Sequence, residues 1–342
     1  MITRHDSAVL SQALHLAMEA GEQVRGTTSP NPPVGAVILD AAGRVAGVGA
    51  TQPPGGPHAE VMALRDAGDK ARGGTAVVTL EPCNHTGRTG PCAQALIDAS
   101  VAAVYYLHPD PTPQAEGGSA TLRRAGVTVG QLAPAEGVDD ALEPWLSAVS
   151  LGRPHVTLKF AQSLDGFTAA ADGSSQWITG EQAREHVHRD RAQRDAILIG
   201  TGTALADNPS LTARYLDGSL RERQPRRVVI GSRDVSRGGA SNLVKLGFEH
   251  YSTPQEALDQ LYASGARDIL VEGGAGLATS FMELGYVERI QAYLGNVILG
   301  EGRGILTRAL SQSLGQAERW QRLAVTELGE DLLVEYRKKE KL

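Results

Sequence analysis

The sequence contains little cysteine, which limits the roles that thiol groups can have in this protein. The 342-residue chain contains only Cys83 and Cys92, and each directly follows a proline. One pair cannot supply the disulfide framework that holds many small secreted proteins together. In a reducing compartment the two thiols stay available for metal binding or catalysis.

Long apolar runs and an excess of basic residues are also missing. No run approaches the roughly 20 apolar residues that a membrane-spanning helix needs. The N-terminal segment lacks the uninterrupted apolar core and the small-residue cleavage site of a secretory signal. With 33 Lys and Arg against 39 Asp and Glu, the chain shows no clustered basic face for nucleic acid. We therefore expect a cytoplasmic protein with no nucleic-acid or membrane partner, and we expect it to form a homo-oligomer.

Length and composition predict two α/β domains. A chain of 342 residues exceeds the usual size of one compact core. Aromatic residues make up only 4% of the sequence, whereas 40 residues are glycine, which favours α/β domains with many tight turns over a sandwich. We place the domain boundary near Ser150, in a Pro- and acid-containing segment, which gives domains 1–150 and 151–342.

Strand and helix patterns alternate along both halves, as expected for sheets covered by helices. An amphipathic helix opens the chain, with Leu10, Leu14 and Met18 on one face. In the first half, "VGAVILD", "GRVAGVGA", "GTAVVTLEP" and "AAVYYLHP" predict strands, and "AEVMALRDAG", "CAQALIDASV" and "SATLRRAG" predict helices. In the second half, "HVTLKFAQSLDG", "DAILIGTGTALADNP", "RRVVIGSRD", "DILVEGGAGLATSFMELG" and "RIQAYLGNVIL" continue the alternation.

Four residues of the first half form a candidate zinc site. His58, Cys83 and Cys92 supply three ligands of the types that zinc prefers, and a catalytic zinc keeps its fourth position for water. Glu60, two residues after His58, is then free to move a proton between that water and a leaving amine. A His-x-Glu followed by Pro-Cys and a second Cys is typical of zinc nucleobase deaminases, although eight residues separate the cysteines here instead of two.

Two other interpretations of these residues remain. The zinc could be structural, with a residue such as His85 as a fourth ligand, or no metal could bind. The combination of all four residues at predicted strand and helix ends favours the catalytic interpretation.

The sequence resembles the bifunctional riboflavin-biosynthesis deaminase–reductases over nearly its whole length. The N-terminal motifs that carry the resemblance are "SPNPPVGAVI", "PHAEVMAL" and "EPCNHTGRTGPC", including the long loop between the cysteines. The C-terminal motifs are "KFAQSLDGFTA", "SSQWIT", "GTGTALADNPSLTAR" and "VEGGAGLA". Their combination and order are those of the family.

The resemblance implies a fold and an activity for each half. It implies a cytidine-deaminase-like α/β/α domain followed by a dihydrofolate-reductase-like α/β domain. The first would hydrolyse the 2-amino group of 2,5-diamino-6-ribosylamino-4(3H)-pyrimidinone 5′-phosphate. The second would use NADPH to reduce the ribosyl group of the deaminated product to a ribityl chain. The implied cofactors are Zn²⁺ and NADPH, and the implied partner is this small pyrimidine substrate.

The resemblance also implies residue roles. In the deaminase half, His58, Cys83 and Cys92 would bind zinc, Glu60 would transfer the proton, and Asn31 and Arg88 would contact the substrate. In the reductase half, the implied NADPH contacts are Ala161, Trp177, Thr203, Asp207, Ser232, Gly274 and Gly276. The implied substrate contacts are Ser175, Arg191, Leu211, Arg214 and Glu272. Lys159 matches the lysine of the family's reductase site, and with Asp207 and Glu272 it completes the candidate catalytic set.

The chemistry of these residue types fits a reductase. Glycines such as Gly273, Gly274 and Gly276 before a helix let backbone amides approach a pyrophosphate, and Ser232 beside Arg233 suits the 2′-phosphate of NADP. A Rossmann unit, or a strand–turn–helix without a ligand, remains an alternative for this segment. Lys159 is costly to bury unpaired, and Asp207 or Glu272 could be its partner.

The sequence departs from the family pattern in three places, and three other functions remain open. Thr51 stands where many members have histidine, and Thr112 stands where the family's "DPNP" has asparagine. In the reductase half, the stretch "SRGGASNLVKLGFEHYSTPQ" is short and "NVILGEGRGIL" varies from the usual pattern. The alternatives are a nucleic-acid deaminase with an appended domain, a non-catalytic regulator of the flavin pathway, and a chain with only one working half, the reductase. The complete set of His58, Glu60 and the two cysteines argues against a pure binder, which needs no proton transfer.

Overall fold

The chain folds into two compact units. The computed structural model describes residues 6–84, 90–112, 117–133, 140–236 and 238–339. The units are Met1–Gly152 and Arg153–Leu342. The predicted boundary near Ser150 lies in the last turn of helix Glu143–Leu151, so the division follows the end of that helix.

The first unit alternates strands and helices, and it includes one strand, Thr128–Gln131, that the sequence patterns did not predict. Its strands are β1 (Gly35–Leu39), β2 (Val45–Ala50), β3 (Thr75–Leu80), β4 (Ala103–His108) and β5 (Thr128–Gln131). Its helices are α1 (Ser7–Val24), α2 (Ala59–Ala67), α3 (Cys92–Asp98), α4 (Gly118–Arg124) and α5 (Glu143–Leu151).

These strands form one sheet in the order β2-β1-β3-β4-β5 with a hydrophobic core on each face. β1 is antiparallel to β2 and β3, whereas β3, β4 and β5 are parallel. Leu10, Leu14 and Met18 of α1 pack on one face, which confirms the amphipathic N-terminal helix. Residues of α2, α3, α4 and α5 pack on the other. This is the expected α/β/α layering.

Helix α1 approaches the sheet closely at Gly35. A Cβ atom at this position would lie 1.8 Å from the backbone oxygen of Ala17, so any larger residue would push α1 away from β1. The many glycines therefore allow close packing of helix on sheet, in addition to the tight turns that the composition predicted.

The second unit also alternates strands and helices. Its strands are β6 (His155–Gln162), β7 (Ala169–Ala170), β8 (Ala196–Gly200), β9 (Arg226–Ile230), β10 (Glu249–Tyr251), β11 (Asp268–Val271), β12 (Arg289–Leu294), β13 (Gly302–Arg303), β14 (Trp320–Leu328) and β15 (Asp331–Lys338). Its helices are α6 (Glu181–Gln193), α7 (Thr201–Asp207), α8 (Ser241–Leu246), α9 (Pro254–Ala263) and α10 (Ala275–Glu283).

The main sheet of this unit has the order β10-β9-β8-β11-β6-β12-β15-β14. The strands from β10 to β12 run parallel, and β15 and β14 continue the sheet as an antiparallel hairpin. In a Rossmann sheet the first strand pairs with the second and the fourth. Here the first strand, β6, pairs with β11 and β12, so the Rossmann alternative is wrong.

The two faces of the main sheet are packed differently. One face buries apolar residues of β6, β8, β9 and β11 against α9 and α10. The other face buries a second apolar cluster of β8, β9 and β11 against α7 and α8. Helix α6, with the sequence EQAREHVHRDRAQ, also lies on this face and buries only Ala183 and Asp190. Polar side chains of β6, β11 and β12 lie on this face and need ionic or hydrogen-bonding partners. No described helix is long and apolar enough to cross a membrane.

Arg194, just after α6, provides one of these partners at a buried position. Its side chain is 1% exposed. Its guanidinium donates to Asp190, to Asp268 at 2.6 Å and to the Thr157 hydroxyl at 3.0 Å. One buried cation therefore contributes to the charge compensation of both carboxylates.

We expect Arg194→Leu to lower the free energy of unfolding of the second unit by about 3–5 kcal/mol, because two buried carboxylates lose their cation. Urea denaturation would measure the loss. Arg308→Leu is the matched control, since Arg308 forms a solvent-exposed ion pair with Glu283 and such pairs contribute little. Equal midpoints for the two variants would contradict the role given to Arg194.

Candidate active sites

His58, Cys83 and Cys92 meet at the ends of three elements of the first unit. His58 is the N-cap of α2, Cys83 follows β3, and Cys92 opens α3. His58 Nδ1 lies 3.6 Å from Cys83 Sγ and 3.3 Å from Cys92 Sγ, and the three ligand atoms lie within 4.8 Å of one another. Tetrahedral zinc, with bonds of about 2.0–2.3 Å, separates its ligand atoms by roughly 3.5 Å. The cluster therefore fits zinc.

The surroundings favour the thiolate form of Cys83. The backbone N–H of Cys92 donates to Cys83 Sγ at 3.5 Å. Hydrogen bonds with Cys92 and His58 lower the pKa of Cys83 to about 4. A thiolate is the form of cysteine that binds metal, so the site is prepared for a cation.

Glu60 lies in the first turn of α2 beside this cluster and is 4% exposed. Burial raises the pKa of Glu60 to about 7, and the nearby charge of Cys83 acts in the same direction. A carboxyl group that titrates near neutral pH can both accept and donate a proton. Glu60 therefore has the properties of a proton-transfer group.

A cavity of about 270 Å³ opens onto this cluster. It is lined by Pro30, Asn31, Pro32, Val34, Thr51, His58, Glu60, Leu80, Glu81, Cys83, Asp110, Thr112 and Trp145. The structure thus brings Asn31 to the same cavity as Glu60. Arg88 and His85, the other residues named for this half, lie outside the described residues.

Both positions of the first unit that depart from the family pattern line the cavity. The Thr51 hydroxyl exchanges hydrogen bonds with the backbone of Val34. The Thr112 hydroxyl donates to Asp110 at 2.6 Å, and its backbone N–H donates to the same oxygen at 2.8 Å. The two hydroxyl groups therefore fix the cavity wall.

Sequence reasoning missed Asp110 and Trp145 as cavity residues. Asp110 comes two residues after the end of β4, where a polar residue beside a strand end could have indicated a site. Trp145 lies on α5 and donates from Nε1 to the backbone oxygen of Pro30 at 3.0 Å. Only the packing of α5 brings Trp145 to the cavity, so no local sequence signal could have identified it.

A buried ion pair forms the centre of the second candidate site. Arg191 on α6 donates from Nε and Nη2 to the two carboxylate oxygens of Glu272, at 2.7 and 2.6 Å. The Glu272 side chain is 5% exposed. The charge of Arg191 lowers the pKa of Glu272 against the opposing effect of burial. Glu272 is therefore a fixed anion.

Lys159 on β6 lies close to this pair. Burial lowers the pKa of Lys159, and the charge of Glu272 opposes that shift. The charge that acts on Asp207 is instead that of Arg303. Of the two partners considered for Lys159, Glu272 is therefore the one that interacts with it.

Thr212 connects two arginines of the site. Its backbone oxygen accepts a hydrogen bond from Arg191 at 3.1 Å, and its hydroxyl accepts one from Arg214 at 2.8 Å. Leu211, the preceding residue, is buried and has a φ of 49°. The segment that follows α7 thus brings Leu211 and Arg214 to the Arg191–Glu272 pair.

The glycine turn after β11 lies against α7. Gly274 has a φ of 69°, and a Cβ there would lie 2.7 Å from Thr203 Oγ1. Only glycine fits both the backbone conformation and the space. Gly276 lies within α10, and a Cβ there would meet nothing within 4 Å, so its importance is not steric.

Other predicted cofactor residues lie at the same edge of the sheet. Ser232 and Arg233 follow β9, and Arg233 Nε donates to Thr201 Oγ1 at 3.3 Å. The carboxyl ends of β8, β9 and β11 therefore bring Ser232, Thr203 and the glycine turn to one edge, where α/β sheets bind ligands.

In the described part of the chain no hydrogen bond or ion pair joins Ala161, Ser175, Trp177 or Asp207 to the Arg191–Glu272 pair or to the glycine turn. Ala161 follows Lys159 on the same face of β6 and packs near Ala183 and Leu333. Ser175 and Trp177 lie in the segment between β7 and α6. Trp177 is 67% exposed, and the Arg184 guanidinium stacks 4.6 Å from the centre of its ring.

Two family models match the chain, one in each unit. The model for the cytidine and deoxycytidylate deaminase zinc-binding region matches residues 7–108. The model for the RibD C-terminal domain matches residues 154–334.

Curated relatives match nearly the whole chain. The riboflavin biosynthesis protein RibD of Corynebacterium ammoniagenes is 64% identical over 308 residues, which cover 90% of this chain and 91% of the relative. RibD of Escherichia coli K12 is 37% identical and covers 96% of this chain and 98% of the relative.

Solved structures agree with the sequence matches. A diaminohydroxyphosphoribosylaminopyrimidine deaminase/5-amino-6-(5-phosphoribosylamino)uracil reductase from Thermotoga maritima superposes with a TM-score of 0.85 at 30% identity. It covers 98% of this chain and all of its own. Acinetobacter baumannii RibD superposes with a TM-score of 0.83 at 33% identity and with the same coverage.

These matches cover both units and do not favour the alternative with only a working reductase half. The protein is an enzyme of riboflavin biosynthesis with a zinc-dependent deaminase activity and an NADPH-dependent reductase activity. The expected fold class, with a cytidine-deaminase-like half before the reductase half, is confirmed. The chain belongs to the family of bifunctional riboflavin-biosynthesis deaminase–reductases.

Proposed function

We propose that each unit performs one of the two reactions. The unit Met1–Gly152 hydrolyses the 2-amino group of 2,5-diamino-6-ribosylamino-4(3H)-pyrimidinone 5′-phosphate. The unit Arg153–Leu342 then reduces the ribosyl group of 5-amino-6-(5-phosphoribosylamino)uracil to a ribityl chain. The observation that carries this proposal is the buried Glu60 beside the His58, Cys83 and Cys92 ligands, at a cavity of about 270 Å³.

In the deaminase unit, His58, Cys83 and Cys92 hold the metal, and Glu60 moves the proton. A zinc ion held there would supply the Lewis acidity that hydrolysis at neutral pH needs. Glu60 takes a proton from the attacking water and delivers it to the leaving amine, a role that its raised pKa supports. Asn31 in the cavity wall hydrogen-bonds to the pyrimidine, and Arg88 binds the substrate from the loop between the cysteines.

In the reductase unit, a fixed charge network orients the substrate. NADPH supplies the hydride. Lys159, Asp207 and Glu272 form the catalytic set, and Arg191 holds Glu272 through two hydrogen bonds. Arg214 binds the substrate phosphate together with the remaining N–H groups of Arg191, because guanidinium groups match phosphate geometry. The other substrate contacts are Ser175 and Leu211.

The residues that would hold NADPH lie at the carboxyl edge of the parallel strands. Thr203 and the Gly274 turn, which lie against each other, would hold its pyrophosphate. Ser232, with Arg233, would bind the 2′-phosphate. The remaining contacts are Ala161, Trp177, Asp207 and Gly276.

The partner of this enzyme is the small pyrimidine phosphate, with no nucleic acid or membrane involved. We place the enzyme in the cytoplasm as a homo-oligomer.

A paired assay tests the proposed function. Purified protein receives the diaminopyrimidinone ribosylamino phosphate with and without NADPH, while ammonia release, NADPH oxidation and zinc content are followed in one sample. We expect ammonia release without NADPH, and NADPH oxidation only after ammonia has appeared. NADPH oxidation without earlier ammonia release would contradict the proposed order of reactions.

Glu60→Gln should lower deamination by about 10²- to 10⁴-fold, because the amide cannot transfer the proton. Zinc content should stay at the wild-type value, and so should reduction of pre-deaminated substrate. Glu19→Gln, an exposed change on α1 of the same unit, is the control. Near-normal deamination by the Glu60 variant would refute the proton-transfer role.

Glu272→Gln should impair reduction while sparing deamination. The variant leaves the Arg191 cation without its buried carboxylate, so the unit should also lose about 3–5 kcal/mol of unfolding free energy. NADPH oxidation and urea denaturation measure the two effects. Glu283→Gln removes the carboxylate of an exposed Arg–Glu pair and should change neither. Equal loss of both activities in the Glu272 variant would indicate a shared site or misfolding instead.

A further inference from the structure

Tyr293 lies on the same face of the sheet as Lys159. β12 pairs with β6 in parallel, with Gln291 opposite Lys159 and Tyr293 opposite Ala161. Because side chains two residues apart on a strand share a face, Lys159 and Tyr293 both point towards α6. The ammonium nitrogen of Lys159 lies 5.4 Å from the centre of the Tyr293 ring, a distance at which the ring attracts the cation.

The Tyr293 ring is held in place by α6. Its side chain is 1% exposed, and its hydroxyl lies 2.8 Å from His186 Nδ1. Burial raises the pKa of Tyr293 and lowers the pKa of His186. Tyr293 Oη and His186 Nδ1 therefore form a hydrogen bond between two neutral groups, whose direction the imidazole tautomer sets. This hydrogen bond anchors the phenol end of the ring, whose face lies beside Lys159.

Charges from every neighbouring element act on Lys159. Burial lowers the pKa of Lys159, and the charge of Arg191 on α6 acts in the same direction, whereas Glu272, which follows β11, and Asp190 on α6 raise it. The carboxylate of Glu272 already accepts two hydrogen bonds from Arg191. On β12, the group that attracts the Lys159 ammonium is the face of the Tyr293 ring.

We propose that Tyr293 is a positioning residue of the reductase: its buried ring, anchored at the hydroxyl by the hydrogen bond to His186, holds the Lys159 ammonium group at the substrate. The inference rests on the proposed function of the second unit, in which Lys159 belongs to the catalytic set. It adds Tyr293 and His186 to that site. A purely structural tyrosine would only fill space among Ala183 and Leu333.

The experiment combines two changes at Tyr293 with the wild-type and Lys159→Met backgrounds. Tyr293→Leu removes the ring, and Tyr293→Phe removes only the hydroxyl. The readouts are kcat and KM for reduction of pre-deaminated substrate, the KM for NADPH, and the pH profile of kcat/KM. Deamination by the same chain reports on the folding of the first unit, and urea denaturation of the second unit reports on the folding of the part that carries Tyr293.

With Lys159 present, Tyr293→Leu should lower kcat for reduction about tenfold, with little change in the KM for NADPH. The basic limb of its pH profile should move to lower pH, because loss of the ring disfavours the ammonium form. Tyr293→Phe keeps the ring and loses only the hydrogen bond to His186. Its kcat for reduction should therefore fall about threefold, which is the effect of one hydrogen bond. In the Lys159→Met background neither change should lower kcat further.

Tyr286→Leu is the matched control. Tyr286 also packs its ring against a cation, with the Arg153 guanidinium 5.1 Å from the ring centre, but that cation lies outside the proposed site. The variant should keep the wild-type kcat and pH profile.

Several outcomes would overturn the proposal. If the Tyr293 variants lose the same factor in kcat in the wild-type and Lys159→Met backgrounds, the role of Tyr293 is structural. An unchanged pH profile of kcat/KM in Tyr293→Leu would lead to the same conclusion. If Tyr293→Leu does not fold, Tyr293→Phe tests the proposal instead. Its loss of kcat for reduction must then disappear in the Lys159→Met background. Full reduction by Lys159→Met alone would remove the basis of the inference while leaving the reductase activity intact. Failure of the proposed function is distinct, because the wild-type protein would then oxidise no NADPH.

Discussion

Each unit buries a carboxylate, and the two units differ in how its negative charge is compensated. This difference separates the chemistry of the two units. Glu60 and Glu272 are both almost inaccessible to solvent. Glu272 has a bidentate partner in Arg191, which holds its pKa below the ordinary value. In the described residues Glu60 accepts no bidentate pair of hydrogen bonds from an arginine, and burial raises its pKa to about 7. The same functional group is therefore held as an anion in one unit and has a pKa near neutral pH in the other, as the proposed proton transfer by Glu60 requires.

Compensation of buried charge also explains the packing of helix α6. Its sequence is too polar for an ordinary amphipathic helix, yet it covers the central strands of the second sheet. It does so because the sheet face beneath it carries Thr157, Lys159 and Tyr293, and the carboxylates of Asp268 and Glu272 adjoin it. Arg191 and Arg194 supply the matching cations. The polar layer forms the floor of the proposed reductase site, so fold stability and function depend on the same contacts.

Strand ends bring distant segments together in both units. His58, Cys83 and Cys92 meet because α2 and α3 begin beside the end of β3. Thr203, Ser232 and Gly274 follow β8, β9 and β11, whose carboxyl ends share one edge of the sheet. Parallel pairing thus converts separate short motifs into single sites.

The sequence by itself determined the alternation of strands and helices, the two-domain organisation and the ligand set around His58, because these depend on periodicity and on motifs within short segments. It also showed that Lys159, inward on an apolar strand, needs a partner. Only the tertiary structure decided that Glu272 interacts with Lys159, that Tyr293 faces the same lysine, and that Trp145 and Asp110 line the cavity. Such contacts join residues far apart in the chain, and strand register, which no local pattern specifies, determines which side chains meet.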